Sequence, residues 1–433
     1  MKRSRAAVLG ACMAISLVLA GCGGDGGDES SAGDGTLTLA GWSLATTPEF
    51  KTLADGFHAT HPGVTVELKE YDAANYDTQM VADLAAGKAP DVYAQKTLKN
   101  FYTYANGKQL VDVSDVAQGL DAKTGGLTAY QLDGKSYAIP YRQDSWVLYY
   151  NKTLFAKAGV KTPDGSWTWD DYAAASKELT TGLKAAGSKA VGDYEHIWQS
   201  TVQGFALAQQ PGAKLESGDF AYLKPYYDRA VGLQDSGAQV KFGDATTNNL
   251  TYQSQFGKQQ AAMMLMGSWY IATLLKQQGT GDADKFDWAF APAPQLDKST
   301  TGTSATPVTF GDPTGLGINA KISKGKLAVA KQFLQYAAGP EGAKALAGIG
   351  ITPANTDAVS ATFFELPGVP SDELSKFAFT KHDTKPENPV SKYTAALQNI
   401  LGDLHTAVMS GSKPVDAAIT EAQNRAKNEV LTK

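Results

Sequence analysis

Cysteine is nearly missing from this chain: 433 residues contain two, Cys12 and Cys22. Cys12 falls in a leader expected to be removed, so the mature chain has no intramolecular disulfide. A chain this long can bury a sufficient apolar core without one. Histidine is scarce too, at five residues. None forms His-Glu-x-x-His, and His58 with His61 offers a three-residue spacing without a further ligand, so no metal site is expected. The net charge is -5, with both signs interspersed and no basic stripe, which argues against nucleic acid as a partner. No Gly-x-Ser-x-Gly elbow is present. Gly134-Lys135-Ser136 ends like a phosphate loop, but Ala129 stands where that motif needs glycine. Gly315-Leu316-Gly317-Ile318 carries the letters of a dinucleotide fingerprint, yet inside a strand rather than between strand and helix. No cofactor is therefore expected. With 44 acidic residues, a carboxylate pair for glycoside hydrolysis stays open, because its diagnostic is a separation in space.

The first 21 residues read as an export signal. Lys2, Arg3 and Arg5 precede the apolar run Ala6 to Ala20, which is too short and too interrupted by Gly and Ser for a confident membrane span. Leu19-Ala20-Gly21-Cys22 resembles the lipobox of bacterial lipoproteins, in which the cysteine thiol is acylated and becomes the new N-terminus. This resemblance implies a lipid anchor at Cys22 on the extracytoplasmic face of the cell membrane. Gly23 to Gly35 is almost entirely Gly, Asp, Ser and Glu, a solvated tether of roughly 20 Å root-mean-square reach. The expected segments are thus 1–21 as leader and 22–35 as tether.

Beyond the tether, helical and strand periods alternate. Thr36 to Ala40 reads as a strand, Phe50, Leu53, Ala54 and Phe57 form one helical face, and Val64, Val66 and Leu68 alternate as a strand. Tyr76, Met80 and Leu84 return to helical spacing, Gly87 looks like a helix stop, and Pro90 to Tyr93 starts another strand. Further helices are marked by Leu327, Ala330, Leu334 and Ala337, by Leu397, Ile400, Leu401 and Leu404, and by Val415, Ala418, Ile419 and Ala422. Strand and helix in alternation imply α/β architecture with parallel pairing.

Seven motifs occur in a recognisable order. They are Phe57 to Val64 (FHATHPGV), Leu84 to Val92 (LAAGKAPDV), Ala138 to Tyr141 followed by Leu148 to Lys152, Trp167 to Tyr172, Gln260 to Met264 with Gly267-Ser268-Trp269, Gly315 to Ile318, and Gly339 to Gly342. In this order the chain, from about Thr36 to its end, resembles the family 1 extracellular solute-binding proteins of bacterial ABC importers, the maltose-binding-protein-like group. The resemblance implies two α/β lobes built from discontinuous stretches, three hinge crossings, and a ligand cleft between them. On that pattern the crossings fall near Val147, Ala291 and Gly350, giving lobe 1 as 36–147 and 291–349 and lobe 2 as 148–290 and 350–433. It further implies a monomeric, non-enzymatic subunit that captures a mono- or oligosaccharide and delivers it to an ABC permease and, through it, to the ATPase subunits.

A sugar presents many hydroxyls and flat C–H patches, so its site needs aromatic platforms beside carboxylates or amides. Trp269, after the Gly-Ser turn, matches a family position that stacks on sugar. Trp42 lies just past the first strand, where open α/β sheets expose ligand loops. Trp198 resembles the second lobe's aromatic wall. Asp144, four residues after Pro140, matches a carboxylate that accepts sugar hydroxyls, and Gln95 and Asp312 are similar candidates, with Arg142 and Ser43 behind them. Trp167, Trp169 and Trp288 match packing positions. The chain departs from the family pattern at Gln209-Gln210-Pro211-Gly212, where a Gly-Gly pair is common.

Overall fold

A computed structural model describes residues 35–356 and 359–432; Cys12, Cys22 and the leader lie outside the described residues. β1 (Gly35–Trp42), β2 (Val64–Tyr71) and β3 (Val92–Gln95) are the expected parallel strands, β1 pairing with both others. Their helical crossovers run over Glu49–Thr60 and Tyr76–Ala86. The first buries Phe50, Leu53, Ala54 and Phe57, the face read from the sequence. The second ends at Gly87, whose φ of 69° places it in the left-handed region that glycine enters without penalty.

A short hairpin, β4 (Gln131–Leu132) and β5 (Lys135–Ser136), follows. Then come β6 (Ile139–Gln143) and, three residues on, β7 (Trp146–Asn151). These two lie in different sheets. β6 edges the first sheet, whose order is β2-β1-β3-β12-β6 with β12 at Pro313–Ile318, while β7 is an inner strand of the second, ordered β10-β7-β9-β8 with β8 at Val191–Asp193, β9 at Ala261–Gly267 and β10 at Trp288–Pro292. β11 (Val308–Phe310) pairs with β13 (Asp383–Lys385), and β12 (Pro313–Ile318) returns to the first sheet, antiparallel between β3 and β6. Gly315 and Gly317 therefore sit in a strand. A Cβ on Gly317 would come within 2.4 Å of Leu110, so glycine here serves close packing rather than phosphate binding.

Each sheet carries its own apolar core. Leu37, Leu39, Phe50, Phe57, Val92 and Phe333 belong to one; Leu148, Tyr149, Phe205, Met264, Phe290 and Leu401 belong to the other. The two-lobed α/β architecture is thus built from discontinuous stretches.

The first crossing is Gln143 to Trp146, beside the expected Val147. The second differs from expectation. Ala291 lies within β10, fully buried in the second core, and the chain stays on that lobe through Phe310 before crossing at Gly311–Asp312. The physical reason is a side-chain staple: Gln295 donates to the Val308 carbonyl at 3.1 Å and accepts from the Val308 amide at 2.8 Å, while its own amide bonds Trp167. The third passage runs between Ile351, in the first core, and Val359, in the second.

Gln209, where the sequence leaves the family pattern, is a second staple. Its carbonyl oxygen accepts from Trp169 at 2.6 Å and Tyr226 at 2.9 Å, and its amide donates to Pro294 and Val308, both at 2.9 Å. Trp169 opens a helix capped reciprocally by Thr168 and Asp171. Trp288 stacks on Tyr149 at 6.0 Å, and Trp167 packs on the second core.

Candidate functional site

Aromatic residues gather where the second sheet meets the crossings. β9 ends in Gly267, and the Trp269 indole folds back over it so closely that any Cβ there would lie 1.8 Å from the ring. Glycine at this turn therefore sets the tryptophan's direction. Trp269 meets Trp146 edge-on at 5.5 Å and Trp198 at 6.5 Å with planes inclined 46°. Trp198 in turn contacts His196 at 4.4 Å and Tyr252 at 5.7 Å. Trp146 is held from behind by Phe310, stacked at 4.9 Å. Trp269 is half-buried, and Trp198, at 39% exposure, is one of three exposed large hydrophobics among the described residues. Two of the sequence-identified tryptophans thus share one partly open wall. Tyr252, His196 and Trp146 join it without having been singled out; Trp146, two residues past Asp144 at the lobe junction, was the one with a positional signal.

Trp42 lies on the other lobe. It closes β1 at 7% exposure, edge-on to Phe50 and Tyr76 at 4.9 and 5.1 Å, with the Lys96 ammonium 5.2 Å from its ring. Lys96 also donates to the Ala73 carbonyl at 2.6 Å, and burial pulls its pKa down against the raising influence of Asp77. Ser43 follows with φ at 50°, left-handed for a non-glycine residue, its carbonyl accepting from Thr46 and Thr47. Gln95 ends β3 at 1% exposure, and neither its amide nitrogen nor its carbonyl oxygen has a partner among the described residues.

Arg142 and Asp144 form the centre of a buried charge network. Arg142 reaches Glu49 at 2.5 Å and Asp144 at 2.8 Å, both as ion pairs, and donates to the Thr314 hydroxyl at 3.1 Å. Asp144 accepts from Ser268 at 2.8 Å, and Ser268 accepts from Thr352 at 3.0 Å. One guanidinium therefore ties together the first crossing, the strand after the second, and, through Ser268, the approach to the third. Burial raises the pKa of Glu49 and Asp144, with Arg142 opposing it in both cases. Burial would lower that of Arg142, but Asp144 and Glu49 outweigh it and the net shift is upward.

Asp312 is equally engaged. One carboxylate oxygen accepts from the Leu98 amide at 3.0 Å and the Asn388 side chain at 2.6 Å; the other accepts from the backbone of Glu387 at 2.9 Å and Asn388 at 3.2 Å. Four of the eight sequence-identified residues thus fall into two groups, Trp198 with Trp269 and Arg142 with Asp144. Trp42, Ser43, Gln95 and Asp312 stand apart along the first lobe's rim and the second crossing. Among the described residues there is no group of three or more metal-ligating side chains, and no helix is long and apolar enough to cross a membrane.

Comparison with known proteins gives a consistent picture. Residues 52–371 match the family described as bacterial extracellular solute-binding proteins. A sugar transporter of Rhizobium etli, solved in an open conformation, is 31% identical, with a TM-score of 0.75 over 91% of this chain and 99% of that one. The diacetylchitobiose binding protein DasA of Streptomyces coelicolor is 28% identical over 96% of both chains. A protein of Brucella abortus named as a binding protein is 30% identical over 142 residues, and the match spans only 34% of its length.

Proposed function

The chain belongs to the bacterial extracellular solute-binding proteins, and from that premise we propose that it is the lipid-anchored, extracytoplasmic subunit of an ABC importer that captures a carbohydrate between its lobes and hands it unchanged to a permease. The observation that carries this reading is the Trp198–Trp269 wall, with one ring 39% exposed and the other half-buried. Pyranose rings bury their C–H faces against such surfaces, while hydroxyls reach polar groups at the edge. Support also comes from relatives named for sugars, one of them a sugar transporter at 31% identity and one named for diacetylchitobiose. The lobes open and close about the three crossings, and a ligand shifts that balance only by touching both. Anchoring rests on Cys22 and its lipobox-like surroundings, and a Cys22→Ala chain is expected to carry no labelled fatty acid.

A thermal-shift screen with diacetylchitobiose, maltotriose, arabinotriose and glucose, beside amino acids and polyamines, tests the central claim, because a ligand bound only by the folded state raises the melting temperature. At least one sugar is expected to stabilise the protein, with no reducing ends released during incubation. Stabilisation by amino acids or polyamines alone would replace the carbohydrate with another solute, and release of reducing ends would make the protein a glycosidase.

A further inference from the structure

Asp312 does more than fix a crossing. Its carboxylate holds Leu98, which follows β3 in the first lobe, and Glu387 and Asn388, which follow β13 in the second. The side chains next to these clamped positions, Lys99 and Glu387, are brought within electrostatic reach of each other from opposite lobes. Both are partly exposed, and neither closes an ion pair among the described residues. Glu387 accepts a hydrogen bond on one oxygen from Ser200, two residues past Trp198. Its backbone carbonyl accepts from Gln398 at 3.4 Å, and the Gln398 side chain is bonded by Gln199 at 2.5 Å. Glu387 is therefore tied through Ser200 to the turn that follows Trp198, and its second carboxylate oxygen has no hydrogen-bond partner among the described residues.

Resting on the carbohydrate reading, we infer that Glu387 and Lys99 are the polar jaw of the sugar site, the carboxylate accepting a hydrogen bond from one ring hydroxyl and the ammonium donating to a neighbouring oxygen. Adjacent hydroxyls on a pyranose present this acceptor-and-donor alternation, and charged partners strengthen both bonds. Because the two groups come from different lobes, a sugar that joins them favours the closed arrangement. Nothing in the local sequence marks either residue. Their pairing is set by Asp312, which lies 214 residues from Leu98 and 75 from Glu387.

The pH dependence of binding separates this role from a structural one. Burial, then the charge of Asp312, pushes the Glu387 carboxyl up to about 7, with Ser200 and Lys99 pulling against them. Asp193 and Glu195, at about 8 and about 7, titrate in the same range from another part of the second lobe. Calorimetric titration from pH 6 to 8 uses whichever of diacetylchitobiose, maltotriose, arabinotriose or glucose binds the parent most tightly. The parent is expected to lose affinity toward pH 6. Glu387→Gln should bind at least tenfold more weakly at pH 8 with a flattened profile, Lys99→Met should lose a similar factor, and Glu387→Asp should keep the pH dependence while binding more weakly. Melting curves run alongside, and Glu387→Asp serves if Glu387→Gln does not fold. Affinity within twofold of the parent in the folded variants, or an unchanged profile in Glu387→Gln, overturns the assignment. A parent that binds none of these sugars instead removes the carbohydrate reading on which it rests.

Discussion

In the second lobe Trp198 is 39% exposed and Trp269 is half-buried, whereas in the first lobe Trp42 is 7% exposed, and at the crossings Arg142, Asp144 and Asp312 have charged atoms already engaged by protein partners. Residue types suited to a sugar site occur in both regions, but they do different work. The wall leaves apolar area open to solvent. The charge network uses its hydrogen-bonding capacity to hold three passages of the chain in register. A polar residue near a cleft can belong to either class, and its partners, not its type, decide which.

The strongest way to break that contrast is Arg142→Met. It leaves Glu49 and Asp144 buried without their shared cation, a change that costs about 3–5 kcal/mol when a buried pair loses one member. Denaturant unfolding should show a loss of that size, largely recovered when Glu49→Gln and Asp144→Asn are added, since the uncompensated charges are then gone. A variant as stable as the parent would show that the network holds nothing.

On the aromatic side the expectation is reversed. Trp198→Ala should melt near the parent temperature yet weaken sugar binding by about 2 kcal/mol, roughly thirtyfold. Trp269→Ala should lose at least as much affinity and also some stability, because its ring packs on Trp146 and over Gly267. Titration beside a melting curve for each variant separates platform from packing, and unaltered affinity in both would move the site away from this wall.

The smallest expected effect tests buried charge elsewhere in the second lobe. Burial, opposed first by Tyr172, raises the Asp193 carboxyl to about 8, and burial, opposed first by Arg229, raises Glu195 to about 7. A carboxyl whose folded pKa exceeds its unfolded one binds protons more tightly when folded, so its stabilisation fades as pH rises through the folded value. His196 and His405, lowered to about 4 by burial, change stability only below about pH 6.5. Stability should therefore fall between pH 6.5 and 8, and Asp193→Asn should flatten that fall by on the order of 1 kcal/mol. An identical slope in the variant would remove Asp193 as its source.

Most elements were legible because their determinants are local. Phe50, Leu53, Ala54 and Phe57 define a helical face within eight residues, and Gly87 marks its own turn. The second crossing was not, because the excursion from Pro292 to Phe310 is kept on the second lobe by Gln295 and Gln209, side chains whose partners lie up to 99 residues away. The wall was half legible. Trp198 and Trp269 sit in recognisable motifs, but Tyr252 arrives from a helix without one. Glu49 was hidden for another reason: at the start of a helix it reads as a favourable N-terminal acid, and only the fold reveals its buried arginine.

Gly311 carries a mechanical consequence. A Cβ there would fall 2.2 Å from the Asp144 carbonyl oxygen, so the first and second crossings touch backbone to backbone with no side chain between them. Two ribbons pressed together in this way bend as one laminated leaf rather than as separate cords. Under the lobe opening proposed above, rotation would follow their line of contact, since twisting about another direction would force the leaves to slide.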